Sequence, residues 1–209
     1  MSNLKILIER YPALSACESE IRRAIDALIA SYEKSGKLLL CGNGGSCADC
    51  DHIVGELMKG FLKQRPINDS EKKKMNERYP LKNDVLEKLQ CGFPAISLPS
   101  ISALNSAFNN DVDPTLTYAQ SAFALGCEGD VMIAISTSGN AKNVCAAAEV
   151  ARAIGMTVIS LTGQSGGRLA AIADIAICVP ETETYKVQEL HLPVYHAICA
   201  DVEQHFFEK

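Results

Sequence analysis

One pattern recurs along this chain: a short apolar run, a loop of Gly, Ser, Thr and Asn, and then a stretch with helical apolar spacing. The apolar runs at 37–41, 95–98, 131–135, 157–161 and 175–178 predict five β-strands. Helices are expected from the first loop through Leu57, at 101–109, 144–154 and 169–173, and over the last segment, 185–207. Strands alternating with helices argue for an α/β fold, a parallel sheet covered on both faces. Ahead of the first strand, residues 3–35 read as helical from Leu4, Leu7, Ile8, Leu14, Ile21, Ile25, Leu28 and Ile29. Pro12 divides that stretch into a short helix and a longer one, which Gly36 is expected to end.

The chain has 209 residues, enough for one α/β domain with a sizeable core. Residues 63–90 break the rhythm: they are rich in Lys, Asn and Glu, carry Pro66 and Pro80, and read as a solvated insertion within a single domain spanning 1–209. With a net charge of -5 and no dense Lys/Arg cluster, no nucleic-acid footprint is expected. No apolar run approaches the ~20 residues of a membrane span. The first ten residues lack a signal-peptide core, so the expected compartment is the cytoplasm. The nine scattered cysteines fit reduced, buried thiols. Cys47-Ala48-Asp49-Cys50 is a lone CxxC at a helix start, and with no second such pair it reads as small helix residues rather than a structural zinc site.

In an open parallel sheet, ligands bind at the carboxyl ends of the strands, so the polar loops are expected to share one crevice. Gly42-Asn43-Gly44-Gly45-Ser46 follows a strand and opens a helix. Its glycines let backbone amides approach a ligand, and Ser46 can cap the helix or donate to an anion. The run lacks the Lys of a Walker loop and the dinucleotide GxGxxG spacing. Ser136-Thr137-Ser138-Gly139-Asn140 also lies between a strand and a helix, and capping needs one hydroxyl, not three. Two such loops in one sheet imply a phosphorylated ligand, and the low positive charge favours a monophosphate ester. The loop 162–167 reads as a turn.

His52 and Glu56, four apart, share a face of the helix opened by Ser46. In the last helix Gln188 and His196 lie about 80° apart in projection, and Pro193 between them is expected to kink the helix. On spacing alone these are ordinary solvent-facing polar residues. The alternative is that two helices bring His52, Glu56, Gln188 and His196 to one site, whose imidazole and carboxylate donors suit zinc.

GNGGS, then HIVGE, NND, ISTSGN and VQELHLPVYH together resemble the phosphoheptose (sedoheptulose 7-phosphate) isomerases of the sugar isomerase (SIS) family, from about residue 37 to the end. The resemblance implies a three-layer αβα sandwich with a five-stranded parallel sheet and a homotetramer with sites at subunit interfaces. It implies aldose–ketose isomerisation of sedoheptulose 7-phosphate to a D-glycero-D-manno-heptose 7-phosphate. Asn43, Gly44, Gly45 and Ser46 match its substrate loop, Ser136, Thr137 and Ser138 its phosphate clamp, and Asn110 and Asp111 a pair contacting the sugar. His52, Glu56, Gln188 and His196 match the ligands of one zinc ion per site; Glu56 and His196 match the catalytic acid–base pair, with Glu56 and Gln188 also meeting substrate. This sequence departs from the family at Ala141, where a Ser hydroxyl often stands, at Tyr185, where an acidic residue can stand, and in the longer 63–90 segment. The other readings are an SIS isomerase for a different sugar phosphate, a non-catalytic sugar-phosphate sensor, and a protein that associates with the replication initiator. The chain shows no helix-turn-helix extension, which counts against a repressor, and it keeps both Glu56 and His196, which favours an enzyme.

Overall fold

A computed structural model describes residues 2–207 of the chain. Its centre is a five-stranded, all-parallel sheet in the order β2-β1-β3-β4-β5. The strands are β1 (Leu38–Gly42), β2 (Ala95–Ser97), β3 (Val131–Ile135), β4 (Thr157–Thr162) and β5 (Ile175–Cys178). Leu38 pairs with Ala95 on one side and Val131 on the other, and Ile159 pairs with both Ile133 and Ile175. Both faces are covered, as the unbroken apolar strands require. Leu38, Leu40, Ile133 and Ile159 point into one core layer with α1 (Asn3–Arg10), α2 (Glu18–Glu33), α3 (Gly45–Met58) and α10 (Thr184–Phe207). Leu39, Cys41, Met132 and Val158 point into the other, against α7 (Thr117–Leu125), α8 (Lys142–Ala153) and α9 (Gly167–Ile172).

Several boundaries differ from expectation for physical reasons. The segment after Pro12 first forms a 3-10 turn, Pro12–Cys17, before α2 begins. The left-handed residue after α2 is Ser35 (φ 62°), not Gly36. Gly36 is instead packed where a Cβ would collide with Ser31. The second strand stops at Ser97, because Leu98–Ser100 turns as a 3-10 element around Pro99 before α6 (Ser102–Asp111). Helix α7 was not expected from sequence: its buried face is made of small residues, Ala119, Ser121 and Ala122, which give a weak periodic signal. Pro193 lies inside a helix that runs unbroken from Thr184 to Phe207.

Residues 63–90 carry two helices, α4 (Asp69–Arg78) and α5 (Asn83–Lys88), and α4 buries nothing. Their base is closed by an antiparallel bridge between Pro66 and Gln90, by the Cys91 amide on the Arg65 carbonyl (2.7 Å) and by the Gly60 amide on Gln90 Oε1 (2.7 Å). Arg65 is fully buried; its Nε donates to Glu203 Oε1 at 2.7 Å, and its guanidinium lies over the Phe93 ring at 4.7 Å. Glu203 also accepts the amides of Phe61 (2.8 Å), Leu62 (2.7 Å) and Lys63 (3.0 Å). Burial pushes the Glu203 carboxyl up, but these hydrogen bonds together hold it below its ordinary range. The segment leaving α3 is thereby tied to α10, and that tie places the site described next.

Candidate active site

The chain runs from β1 to β2 on one side and then crosses back to β3 on the other, so the carboxyl ends of β1 and β3 form the switch point of the sheet, where a crevice is expected. A cavity of about 370 Å³ lies there, walled by Asn43, Gly44, Gly45 and Ser46 from the first loop, Ser136, Thr137 and Ser138 from the second, and Thr184 and Gln188 from α10. The two loops picked out by composition thus share one cradle. Gly44 adopts φ +56°, which a side chain disfavours. At Gly45 a Cβ would occupy the space of the Gln188 carboxamide, so the missing side chain lets Gln188 reach the loop.

Local hydrogen bonds decide which groups remain available to a ligand. Ser46 is not the cap of α3; the cap position is Gly44, and Ser46 is a buried residue of the first turn. Helix α8 likewise has no side-chain cap, so none of Ser136, Thr137 and Ser138 is used for that purpose. The Ser138 hydroxyl accepts the Asn140 amide (3.2 Å), which leaves its proton to give. The Asn43 carboxamide is different: it exchanges two hydrogen bonds with Asn143 (2.9 and 3.0 Å) and accepts from the Tyr118 hydroxyl at 3.2 Å. Asn43 therefore serves the cradle through its backbone while its side chain fixes the loop to α8. Asn143, Tyr118 and Thr184 were missed in the sequence because nothing about an isolated polar residue shows which loop it will meet.

Farther along the two helices that wall the cradle, α3 and α10 bring three predicted residues together, and His196 lines a separate cavity of about 350 Å³ with Phe61 and Pro193. His52 Nε2 lies 3.2 Å from Glu56 Oε1 and 3.4 Å from His196 Nε2. Glu56 Oε2 accepts from Lys59 Nζ at 3.1 Å, and the Phe61 ring covers His196 at 5.5 Å between centroids. Burial lowers the His196 pKa, the neighbouring His52 lowers it further, and Glu56 opposes both. On the far side of His52, Nδ1 lies 2.9 Å from the Tyr195 hydroxyl, which in turn lies 3.3 Å from Asp49 Oδ1. Asp49, His52 and Glu56 follow one face of α3 at intervals of three and four, a pattern the sequence contained.

The donor chemistry suits zinc, and the separations fit as well: bonds of 2.0–2.1 Å in a tetrahedron place donors roughly 3.3 Å apart, close to the 3.2 and 3.4 Å found here. Among the described residues, no three or more His, Cys, Asp or Glu side chains already close on a common point, so enclosing an ion needs side-chain rotation. Gln188, the fourth predicted donor, faces Gly45 in the cradle. Asn110 and Asp111 are not brought to this cavity within one chain; they sit exposed at the end of α6, Asn110 Nδ2 donating to Asp111 Oδ1 at 2.8 Å. The nine cysteines are all free. Burial raises the Cys47 and Cys50 thiols, so the helix start does not make either one a thiolate.

Known proteins of one family match this chain over most of its length. SIS-domain family models match residues 8–90 and 105–200. The phosphoheptose isomerase of Burkholderia pseudomallei (strain K96243) is 37% identical over 90% of this chain and 83% of its own length. That of Helicobacter pylori (strain P12) is 34% identical over 94% of this chain and 90% of its own. The structure of phosphoheptose isomerase GmhA from Neisseria gonorrhoeae superposes with a TM-score of 0.75 at 28% identity, covering 96% of this chain and 94% of that one. With SIS-domain models matching most of its length and identity above a third across nine-tenths of the sequence, the chain belongs to the phosphoheptose isomerase family of SIS-domain proteins.

Proposed function

We propose that this protein is an aldose–ketose isomerase that converts sedoheptulose 7-phosphate to a D-glycero-D-manno-heptose 7-phosphate. The observation that carries the reading is the placement of His52 within hydrogen-bonding distance of both Glu56 and His196, on the two helices whose Ser46 and Gln188 line a neutral, hydroxyl-lined cradle. Relatives at 34–37% identity bear the name of that activity.

The cradle holds the phosphate through the amides of Gly44 and Gly45 and the hydroxyls of Ser46, Ser136, Thr137 and Ser138, which fixes the far end of the sugar and so positions its carbonyl end. The Glu56 carboxylate takes a proton from C1 of the ketose, leaving an enediolate. A proton is then delivered to C2, and His196 moves the proton between the two oxygens. Burial keeps His196 inclined to its neutral form, which can accept that proton and return it. His52, Glu56, Gln188 and His196 would hold one zinc ion per site, whose role when bound is to polarise the carbonyl as a Lewis acid. Lys59 offsets the Glu56 charge, and its exposed ammonium is free to swing away.

The assembly proposed is a homotetramer in the cytoplasm, with Asn110 and Asp111 reaching the sugar of a neighbouring subunit. It is supported by the exposure of Met58, Leu62, Val112 and Phe123 (55–67%), large apolar side chains that a monomer has little reason to leave in water. Among the described residues no helix is long and apolar enough to cross a membrane. A panel of five-, six- and seven-carbon sugar phosphates, assayed with and without zinc, tests the substrate. The seven-carbon ketose should be turned over best; a clear preference for a shorter sugar would reassign the enzyme to another phosphosugar.

A further inference from the structure

We infer that Tyr195 and Asp49 hold the His52 imidazole in the tautomer that carries its proton on Nδ1, so that the Nε2 lone pair faces Glu56 and His196. The purpose of this arrangement rests on the zinc reading above; its existence does not.

The argument is a count of protons. The Tyr195 hydroxyl has one proton to give and lies between two acceptors, His52 Nδ1 at 2.9 Å and Asp49 Oδ1 at 3.3 Å. Among the described residues Tyr195 is the sole hydrogen-bond donor to Asp49, whose other oxygen, Oδ2, is buried and has no partner. Depriving a half-buried carboxylate, one oxygen of which already lacks a partner, of its one protein donor costs more than leaving a neutral ring nitrogen without one. The Tyr195 proton therefore goes to Asp49. The phenol oxygen is left facing His52 as an acceptor, so Nδ1 must be the ring nitrogen that donates. A neutral imidazole has one N–H, and Nε2 is then bare.

The opposite tautomer would let Nε2–H donate to Glu56 Oε1 across 3.2 Å. Glu56 loses little by forgoing that bond, because Lys59 already serves its other oxygen at 3.1 Å. Asp49 has no such second donor. The favoured arrangement points a nitrogen lone pair at a carboxylate, a juxtaposition that a bound cation relieves and that prepares the site for one. A metal-binding histidine usually gives its remote N–H directly to a carboxylate or carbonyl; here a phenol is interposed. Tyr195 can act as a rigid spacer because it is only 2% exposed and meets the His52 ring edge to face at 5.5 Å. It is a positioning residue, since in this arrangement it touches neither the metal ligands' donor atoms nor the cradle.

The test is a long-range 1H–15N correlation spectrum of the metal-free protein, labelled at histidine nitrogen and held at about pH 8 so that the rings are neutral. In the wild type His52 should show Nδ1 protonated. Tyr195→Phe and Asp49→Ala should both move the proton to Nε2, the first by removing the acceptor and the second by freeing the hydroxyl to donate to His52. If Tyr195→Phe does not fold, Asp49→Ala decides alone, since Asp49 is a partly exposed position on α3 where Ala is a good helix former. Zinc affinity, read by competition with a chelator, should fall ~10–100-fold in Tyr195→Phe. A wild-type His52 protonated on Nε2, or variants that leave its tautomer unmoved, would overturn the inference. Wild-type protein that takes up no zinc would instead remove the zinc assignment, while the tautomer signals would still decide between Asp49 and Glu56 as the group that sets the ring.

Discussion

The Nε2 atoms of His52 and His196 lie 3.4 Å apart although 144 positions separate them in the chain. Helices α3 and α10 pack in the same core layer, Ile53 and Leu57 of one with Val194 and Ile198 of the other. That packing sets the distance between the two imidazoles.

Glu56→Gln keeps the shape of the side chain and removes its basicity. Turnover of sedoheptulose 7-phosphate should fall by at least ~10²–10⁴-fold, while calorimetric binding of the substrate changes by only a few-fold because the phosphate cradle is untouched. Near-normal kcat in this variant would take Glu56 out of the proton transfer.

Glu203→Ala leaves the fully buried Arg65 guanidinium without its carboxylate and frees the amides of Phe61, Leu62 and Lys63. Breaking a buried pair from one side costs ~3–5 kcal/mol, which for a chain of this size is a drop in Tm of roughly 6–20 °C. A thermal shift assay measures it; a Tm within two or three degrees (~1 kcal/mol) of wild type would show that the pair is not a structural pin.

His191 is fully buried next to the Thr162 backbone, with neither ring nitrogen in hydrogen-bond geometry, and burial lowers its pKa to about 4. Its folded pKa lies below the unfolded value of ~6.5, so the unfolded chain takes up the proton first as pH falls. Stability is therefore full above pH 6.5 and is lost between about 6.5 and 4. From this group alone the loss between pH 7 and pH 5 should be ~2 kcal/mol. Urea unfolding of the wild type and of His191→Leu at both pH values isolates it: the variant should lose less stability on acidification, and equal losses would assign the acid sensitivity elsewhere.

Ala141 lines the cradle at the start of α8 and offers no hydroxyl there. Ala141→Ser adds a donor at the phosphate and should tighten inorganic phosphate binding ~2–10-fold, the worth of one hydrogen bond. Unchanged affinity would place the phosphate away from the start of α8.

Much of this was legible because strand and loop chemistry is local. The limits of β3 and β5 match their apolar runs, and the two hydroxyl-rich loops do meet in one cavity. Helix α7 was hidden because its core-facing residues are small. Ser46 looked like a helix cap from its position after two glycines, but α3 starts at Gly45, two residues earlier than a Ser46 cap would have it, and buries Ser46. His52 and Glu56 on one face of α3 could be read from spacing, whereas their approach to His196 depends on how α10 packs. Asn43 was placed in a substrate loop by resemblance, and only the fold shows that its carboxamide is engaged by Asn143 and Tyr118.

The most direct test is a proton NMR time course of sedoheptulose 7-phosphate in D2O with the zinc-loaded protein. The expected result is conversion to an aldoheptose 7-phosphate that carries solvent deuterium at C2, lost in Glu56→Gln. A substrate spectrum that stays unchanged at any zinc concentration, or equal conversion by Glu56→Gln, would contradict it.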